Sequence, residues 1–392
     1  MKIIFISNYL NHHQKPFCDE MYKILGDDYK FIATSKIAEE RLKLGYKAIE
    51  EESYLICANE DNKNYCLKII SDADAVIIGS APDFYIKNRI KENKIIFRYS
   101  ERPLKKGVEL LKYIPRFIKW HYKNPIFKKI YLLCASAYTY YDYSRFCLFK
   151  NKAFKWGYFT EVKKYNDINK LIQKKKKNSI LWVGRLIQLK HPEYALKVAK
   201  KLKEEGYTFE MNIIGDGPML NDLKKTIKKD KLEKCVFLHG SVPSSDVRKF
   251  MEDNQIFIFT SNKMEGWGAV LNEAMNSACA AVASNVIGAV PFLLNKKNGL
   301  IFKSGNVDDL YIKTKFLLDN QKQRIEIGIN AYKTMENLWN PKIAAERLIK
   351  LTDKMINNMD YNIFSEGPCS KSKIMKDYEI LDDNGSFEEV KK

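Results

Sequence analysis

The chain alternates short apolar runs with longer segments in which apolar residues recur at helical spacing. Short apolar runs bounded by turn residues are typical of parallel strands that helices cover on both faces. The strands predicted in this way are residues 2–7, 29–33, 75–78, 94–98, 131–134, 180–183, 208–214, 235–238, 256–259 and 281–283. The predicted helices are residues 14–25, 61–71, 191–204, 219–229, 244–253, 268–278, 307–319, 321–337 and 341–357. This order of elements predicts an α/β protein.

Two repeats of this alternation are separated by a boundary near residues 156–178, which contains a lysine-rich stretch. A length of 392 residues is too great for one ordinary domain and suits two. We therefore predict two doubly wound, Rossmann-like domains, followed by a helix that packs back toward the first domain and by a loosely ordered tail. The predicted bounds are 1–160 and 178–340 for the domains, 341–360 for the helix and 361–392 for the tail.

The positive charge of the chain lies in one block. Lys and Arg number 67 against 48 Asp and Glu, which gives a net charge of +19. Residues 102–190 carry 22 basic and 4 acidic residues, net +18, so the rest of the chain is close to neutral. A basic block of this strength predicts an acidic partner, for which nucleic acid, anionic lipid and a phosphorylated small molecule are the alternatives.

Cysteine usage and the N-terminal residues predict a reducing compartment. The eight cysteines include no C-x-x-C pair, and a chain of this size needs no disulfide framework. The first apolar run, residues 3–6, is shorter than that of a signal peptide, and no run approaches the ~20 residues of a membrane-spanning helix. We therefore expect a cytoplasmic protein that is soluble or attached to a membrane surface.

Candidate ligand-binding residues follow the strands of the second domain, because ligands of open α/β sheets bind beyond the carboxyl ends of the strands. Glycines there let a phosphate approach the backbone, and Arg185 and Lys190 can neutralise a diphosphate without a metal ion. Glu265 and Glu273 can accept hydrogen bonds from hydroxyl groups of a sugar and a ribose. Each charge taken alone is typical of a solvated surface, and only the ordered set favours a binding site. The other members of the set are Gly184, Gly215, Gly217, Gly266, Trp267 and Gly268.

Four motifs occur in order between residues 180 and 302. They are G-R-x-x-x-x-K at 184–190, G-x-G-P at 215–218, E-G-W-G-x-x-x-x-E-A-M at 265–275 and N-G-L at 298–300. In this combination the chain resembles the retaining GT-B glycosyltransferases of family 4, the glycosyl transferases group 1. The resemblance implies a GT-B fold, in which a donor-binding and an acceptor-binding Rossmann-like domain face each other across a cleft. Trp267 departs from the Phe that is commoner at its position, and either ring can line the pocket.

The resemblance also implies a reaction and a set of roles. A sugar would pass from a nucleotide-diphosphate sugar to a glycan or lipid-linked acceptor with retention of configuration and without a metal, in bacterial surface polysaccharide or glycolipid assembly. Arg185 and Lys190 would bind the diphosphate, Glu273 the ribose, and Glu265 with the backbone after it the donor sugar. Arg185, Lys190 and Glu265 are thus the predicted catalytic residues. The alternatives are a nucleotide-sugar epimerase of the same architecture and a basic nucleic-acid-binding protein.

The first domain is expected to bind the acceptor. The turn after its first strand lacks a G-x-G-x-x-G motif, which argues against a nicotinamide or flavin dinucleotide site. This turn presents Asn8, His12 and His13, either as a polar helix start or, as the family resemblance favours, as groups on the acceptor side. Glu101 lies between two arginines in the sequence and is either a salt-bridged loop residue or an acceptor-orienting carboxylate.

A D-x-D sequence, which metal-dependent transferases use, occurs at residues 72–74. It precedes its predicted strand, at the edge of the sheet opposite to the ligand-binding edge. We therefore interpret it as a helix-to-strand turn and predict no metal site there.

Residues 102–155 carry the largest share of the positive charge, net +11. Steps of four, three and four residues place Lys112, Arg116, Lys119 and Lys123 on one helix face. Pro115 predicts a kink or two shorter helices. A basic amphipathic segment with aromatic residues favours an anionic membrane surface, on the inner face of the plasma membrane, over a core helix whose long side chains reach solvent. The predicted apolar face consists of Leu104, Val108, Leu111, Ile118 and Tyr122, with Phe117 and Trp120 nearby.

Overall fold

The computed structural model describes residues 1–37, 49 and 51–376. These residues form two compact units, one made of residues 1–161 together with 339–376 and the other of residues 162–338. The last part of the predicted tail, residues 377–392, lies outside the described residues.

The described residues of the first unit contain a parallel sheet of seven strands in the order β3-β2-β1-β4-β5-β6-β7. The strands are β1 (Ile3–Ser7), β2 (Tyr29–Ala33), β3 (Leu55–Cys57), β4 (Ala75–Ile78), β5 (Ile95–Ser100), β6 (Ile130–Cys134) and β7 (Ala153–Lys155). The α-helices are α1 (Lys15–Leu25), α2 (Lys63–Asp72), α3 (Lys87–Lys91), α4 (Tyr113–Lys123), α5 (Thr139–Ser144) and, from the C-terminal part of the chain, α14 (Pro341–Ile356).

Every residue of β1 is buried, as expected for a central strand that helices cover on both faces. Helix α1 has Pro16 in its first turn, where no backbone N–H is needed, and directs Phe17, Cys18 and Met21 toward the core. Helix α14 packs against α1, and the Asn340 side chain caps its first turn. The C-terminal helix is therefore part of the first unit.

The second unit contains a parallel sheet in the order β10-β9-β8-β11-β12-β13. Its strands are β8 (Ser179–Val183), β9 (Glu210–Ile214), β10 (Val236–Gly240), β11 (Ile256–Phe259), β12 (Ala280–Ser284) and β13 (Leu300–Phe302). Its helices are α6 (Ile168–Lys174), α7 (Pro192–Glu204), α8 (Leu220–Lys229), α9 (Ser244–Asp253), α10 (Val270–Asn276), α11 (Val290–Leu293), α12 (Val307–Asp319) and α13 (Gln321–Asn337). Its main core lies between β8, β9 and β11 and the helices α7, α8 and α12.

The predicted α/β fold of two doubly wound halves is confirmed. The ten predicted strands all occur, with ends that move by two residues at most. Strands β3, β7 and β13 were missed because each has only three residues, too few to show a periodic pattern. Helix α10 begins later and ends earlier than predicted and has seven residues.

Residues 367–372, which the sequence predicts to be part of a loosely ordered tail, pack against β7. The Lys155 N–H donates to the Ser370 carbonyl at 2.7 Å, and the Ser372 N–H donates to the Ala153 carbonyl at 2.9 Å. Cys369, Ser370 and Ser372 are buried. The expectation of looseness is wrong here because β7 is an edge strand whose backbone groups these residues satisfy.

Within the basic residues 102–155, a 3₁₀ turn, Leu110–Lys112, is followed directly by helix α4. Pro115 lies in the first turn of α4, so it causes no kink. Leu104 does not lie on the helix as predicted, because its N–H donates to the buried Asp142 carboxylate at 2.8 Å and its side chain enters the core. Among the helices of the described residues, none has the length and apolar character needed to cross a bilayer.

Candidate functional site

The second unit has its topological switch point between β8 and β11, which are neighbours in the sheet. From β8 the chain continues to β9 on one side, and it returns to β11 on the other side. Crevices for ligands in open α/β sheets lie at this point, beyond the carboxyl ends of the strands. The loop 184–190 follows β8 and the loop 260–268 follows β11, so the sequence-predicted residues of both loops lie at the edge where a ligand is expected.

The loops after β8 and β9 pack directly against each other. The Leu186 N–H donates to the Asp216 carbonyl at 2.8 Å, and the Met219 N–H donates to the Leu186 carbonyl at 3.0 Å. Gly215 has φ of +138°, and a Cβ at this position would overlap the carbonyl oxygen of Gly184. The glycines of the G-x-G-P motif therefore permit the close approach of two backbone segments, which fixes the loop that carries Arg185.

Lys190 and Glu265 form an ion pair that joins the loop after β8 to the loop after β11. The two side chains are only 14% and 13% exposed. Glu265 also accepts a hydrogen bond from the Ser261 hydroxyl at 2.9 Å, and the Lys190 ammonium lies 5.6 Å from the centre of the Phe259 ring. The pair thus places a cation and a carboxylate side by side at the switch point.

The backbone of Lys190 is held by a short chain of side-chain hydrogen bonds. The indole N–H of Trp182 donates to the Thr260 hydroxyl at 2.8 Å, and that hydroxyl donates to the Lys190 carbonyl at 2.6 Å. The Asn262 N–H donates to the Leu189 carbonyl at 2.9 Å. Because these contacts join β8, its loop and the end of β11, the position of Lys190 is set by the sheet.

Arg185 differs from Lys190 in its surroundings. Its side chain is exposed and forms no hydrogen bond or ion pair with any other residue that the structure describes. The backbone beside it is ordered, since the Ile187 N–H donates to the Arg185 carbonyl at 2.8 Å. A guanidinium without a protein partner on a well-positioned loop is available for a bidentate contact with phosphate oxygens.

The turn at residues 266–268 is buried. A Cβ at Gly268, which has φ of +88°, would lie 2.6 Å from the Phe259 ring. The Trp267 ring is buried and its indole N–H donates to the Asn272 side-chain oxygen at 2.9 Å. Trp267 therefore packs in the core of the unit in this structure, which corrects the expectation that its ring lines the pocket.

Glu273 lies on helix α10 and is partly buried. Burial raises the pKa of its carboxyl, and the positive charge of Arg248 opposes the increase. Its carboxylate makes no hydrogen bond to another described residue, whereas its backbone carbonyl accepts from the Ser277 hydroxyl at 2.9 Å. A carboxylate in such surroundings gains from a hydroxyl donor on a ligand.

The first unit has its own switch point, between β1 and β4. The Ser7 hydroxyl donates to the Asn8 side-chain oxygen at 3.1 Å and accepts from the Ser80 N–H at 3.3 Å. Asn8 therefore lies at the position where the topology of this unit places a ligand.

Five side chains in contact, two of them not predicted, connect the other predicted residues of this unit. The Tyr158 hydroxyl donates to the Glu101 carboxylate, and the second oxygen of this carboxylate accepts from Lys105 at 2.8 Å. The Tyr158 ring stacks on the imidazole of His13, with centroids 5.5 Å apart, and the rings of His12 and His13 are 3.8 Å apart. The structure thus brings His12, His13 and Glu101 together through Tyr158.

Glu101 is salt-bridged, but its partner is Lys105 and neither neighbouring arginine. Arg98 pairs with Asp83, and Arg102 pairs with the buried Asp142 at 3.2 Å.

The two histidines have low proton affinities. Burial, and then the positive charge of a protonated His12, lower the pKa of His13 to about 3, and burial also lowers the pKa of His12. The His13 N–H donates to the Asn11 side-chain oxygen at 2.9 Å, so Asn11 caps the turn that leads into α1. His13 is neutral at physiological pH and can act there as a hydrogen-bonding and stacking group.

The D-x-D sequence lies at the amino end of β4, away from the switch point. The Asp74 carboxylate accepts from the Lys2 N–H at 2.7 Å, and Asp72 is the last residue of α2. This arrangement confirms the predicted helix-to-strand turn.

Sequence reasoning missed Tyr158, Lys105 and the Thr260–Ser261 pair. Tyr158 follows the three-residue strand β7, and recognition of that strand would have marked it as a residue at a strand end. Thr260 and Ser261 directly follow β11, a strand that was predicted, so the rule that ligand sites follow strands already pointed to them. Lys105 carries no signal of its own among the many lysines of the basic block.

Residues 163–334, which lie within the second unit, match the family model described as Glycosyl transferases group 1. The amylovoran biosynthesis glycosyltransferase AmsK of Erwinia amylovora is 27% identical over 181 residues, which are 45% of this chain and 44% of that protein. The poly(ribitol-phosphate) alpha-N-acetylglucosaminyltransferase of Staphylococcus aureus (strain COL) is 26% identical over 170 residues, which are 43% and 34% of the two chains. The matched region thus spans less than half the length of these curated relatives.

The crystal structure of HepE from Anabaena in complex with UDP is similar to this chain in fold. The TM-score is 0.67 at 12% sequence identity, and the similarity covers 90% of this chain and 100% of that one. The fold predicted from the sequence, the GT-B arrangement of two parallel-sheet Rossmann-like halves, is confirmed by this similarity.

Proposed function

We propose that this chain is a retaining glycosyltransferase that uses a nucleotide-diphosphate sugar and acts in bacterial surface polysaccharide or glycolipid assembly. The observation that carries the proposal is that one loop at the switch point holds both Arg185, which has no side-chain partner among the described residues, and Lys190, which forms an ion pair with Glu265. This loop belongs to the unit that matches the glycosyl transferases group 1 model. The named relatives act in amylovoran biosynthesis and in the transfer of N-acetylglucosamine to poly(ribitol-phosphate), and they favour transfer over the epimerase and nucleic-acid alternatives.

The donor would bind to the second unit. Arg185 would hold the diphosphate with two parallel N–H contacts, and Lys190 would supply the second positive charge. Two cations in a partly desolvated site can neutralise a diphosphate, so we propose that the reaction needs no metal ion. Glu273 would accept hydrogen bonds from the ribose hydroxyls, and the backbone of the glycine-rich loops would approach the phosphates.

In the transfer step, the bond between the anomeric carbon and the diphosphate oxygen breaks while the acceptor oxygen bonds to the same face of that carbon. The leaving phosphate oxygen would take the acceptor proton, so that no protein base is needed. Arg185 and Lys190 would stabilise the negative charge that develops on the diphosphate. Glu265, which holds Lys190 in place, would also accept a hydrogen bond from a hydroxyl of the donor sugar.

The acceptor would bind to the first unit. Asn8 lies at its switch point, and the His13–Tyr158–Glu101 chain offers a neutral imidazole and a carboxylate fixed by two partners. A carboxylate held in this way can orient a sugar hydroxyl of a glycan or lipid-linked acceptor. Tyr158 is the residue that sequence reasoning did not identify and that positions both groups.

The test is an assay of UDP-, GDP- and ADP-sugars with and without candidate acceptors, in the presence of a metal chelator. We expect one donor class to raise the melting temperature by mass action. Its sugar should pass to an acceptor with the anomeric configuration that it had in the donor, as measured from the NMR coupling constant of the anomeric proton in the product. Arg185→Ala should lower kcat at least about 100-fold. The matched control is Lys228→Ala, an exposed lysine in the last turn of α8, at the opposite edge of the sheet.

Three results would contradict the proposal. Epimerisation of the donor without an acceptor would support the alternative enzyme. Inversion at the anomeric carbon would exclude attack of the acceptor on the face from which the diphosphate leaves, although sugar transfer itself would still hold. Wild-type turnover in Arg185→Ala would show that Arg185 does not stabilise the negative charge of the leaving diphosphate.

A further inference from the structure

Helix α4 and the turns on either side of it, residues 110–129, expose an unusual amount of apolar surface, and we name them the basic segment. Leu110, Leu111 and Phe127 are 89%, 92% and 90% exposed, and Ile118 is 63% exposed. All residues of α4 belong to the described part of the chain, and none of them is buried. Large aliphatic side chains grouped at this exposure mark an interaction surface.

The exposure does not result from a detached helix. The opposite side of α4 is fixed to the first unit by aromatic contacts, with Tyr113 stacked on Phe146 at 4.6 Å and Trp120 next to Tyr143 at 4.8 Å between ring centres. The His121 ring also hydrogen-bonds to the Phe146 carbonyl at 2.8 Å. The protein therefore holds the apolar side of α4 outward in a defined orientation.

The exposed side of α4 is divided into an apolar stripe and a cationic stripe. Ile114, Ile118 and Tyr122 follow one another at steps of four residues. Lys119 lies about a quarter of a turn around the helix from the middle of this row, and Arg116 lies a little under half a turn from it. Arg116 also lies over the Trp120 ring at 5.8 Å. This division places apolar groups and cations side by side along one helix that faces solvent.

The charge of the basic segment selects among partners. Residues 110–129 hold six basic residues and no acidic residue, and two of the six form ion pairs, Lys112 with Glu109 and Lys123 with Asp83. A surface that combines fully exposed leucines with this positive charge matches an anionic lipid bilayer, in which the apolar stripe enters the headgroup–acyl boundary and the cations contact lipid phosphates. Nucleic acid offers the charge but no apolar medium for Leu110, Leu111 and Phe127.

We propose that the basic segment docks this protein on an anionic bilayer, with α4 parallel to the membrane plane. Leu110, Leu111 and Ile118 enter the bilayer, and Arg116 and Lys119 contact the headgroups. The proposal goes beyond sugar transfer and does not depend on it, because none of these residues belongs to the donor or acceptor sites described above. Either inference can fail while the other holds.

The experiment measures binding of the full chain to vesicles by flotation. We expect binding to vesicles of phosphatidylcholine with phosphatidylglycerol, weaker binding at high salt, and little binding to phosphatidylcholine alone. The variant Leu110→Gln/Leu111→Gln should lower the partition coefficient at least about tenfold, and Arg116→Gln/Lys119→Gln should lower it about tenfold or more. Both variants should keep the melting temperature of the wild type, because the leucines are almost fully exposed and the two cations form no ion pair in the described chain.

The matched control is Ile312→Gln, an exposed isoleucine (61%) on α12 of the second unit, which should bind as the wild type does. The proposal is overturned if the wild type ignores anionic vesicles or if the leucine variant binds them unchanged. It is also overturned if sedimentation shows that the leucine variant converts a dimer to a monomer while vesicle binding persists, since the surface would then join two copies.

Discussion

Removal of the Lys190 charge should destabilise the second unit, because Lys190 and Glu265 are both largely buried. In Lys190→Met, Glu265 keeps the Ser261 hydrogen bond but loses its counterion. Breaking a buried ion pair by removing one partner costs about 3–5 kcal/mol, and the remaining hydrogen bond argues for the lower value, about 3 kcal/mol. For a unit of this size that corresponds to a decrease in Tm of about 6–12 °C.

Substitutions at Lys190 and Glu265 should be strongly coupled, because the two side chains form one ion pair. Glu265→Gln alone should cost about 2 kcal/mol, less than Lys190→Met, because Lys190 keeps its contact with the Phe259 ring and is 14% exposed to solvent. The double variant leaves no buried charge unpaired and should be more stable than Lys190→Met, by about 1–2 kcal/mol.

The assay is urea unfolding of the wild type, both single variants and the double variant, followed by tryptophan fluorescence. Lys228→Met, which changes an exposed lysine in the same unit, should lie within about 0.5 kcal/mol of the wild type. Additive effects of the two substitutions, or a Lys190→Met protein as stable as the Lys228→Met control, would refute the buried pair.

Three further predictions follow from the geometry. Gly215→Ala should cost about 3 kcal/mol or more by thermal unfolding, because its Cβ would overlap a carbonyl, whereas Gly206→Ala, with φ of +80° and free space around it, should cost about 1 kcal/mol. His13 should titrate near pH 3 by NMR. Because its pKa is lower in the folded than in the unfolded protein, its contribution to stability is complete above about pH 6.5 and falls as the pH decreases toward 3. This pH-dependent contribution should vanish in His13→Gln. Tyr158→Phe should raise the acceptor KM about tenfold and leave nucleotide affinity unchanged, and an unchanged acceptor KM would contradict its positioning role.

Apolar runs and helical spacing predicted both sheets because each central strand is buried on both faces, so that its residues are apolar almost without interruption. The rule that ligands bind at strand ends then predicted Arg185, Lys190 and Glu265. What could not be predicted is their pairing. Lys190 and Glu265 are 75 residues apart, and their contact depends on the adjacency of β8 and β11, which only the sheet order determines.

Helix α4 and the residues before it show the same limit, because contacts between residues distant in the sequence could not be predicted. The spacing of Arg116 and Lys119 predicted a cationic helix face, and that face exists. The sequence could not show that Leu104 leaves this helix, because a buried pair of Arg102 and Asp142, 40 residues apart, draws its backbone into the core. Nor could it show that the aromatic residues fix α4 and leave the leucines outside.

Calorimetry with UDP, GDP and ADP and the matching monophosphates tests the proposal that the second unit binds a nucleoside diphosphate through Arg185. One diphosphate should bind at least about tenfold more tightly than its monophosphate. Arg185→Ala should remove this difference without lowering Tm, since Arg185 has no partner among the described residues. Equal affinity for the diphosphate and the monophosphate in the wild type, or an unchanged difference in Arg185→Ala, would contradict the proposed role of Arg185.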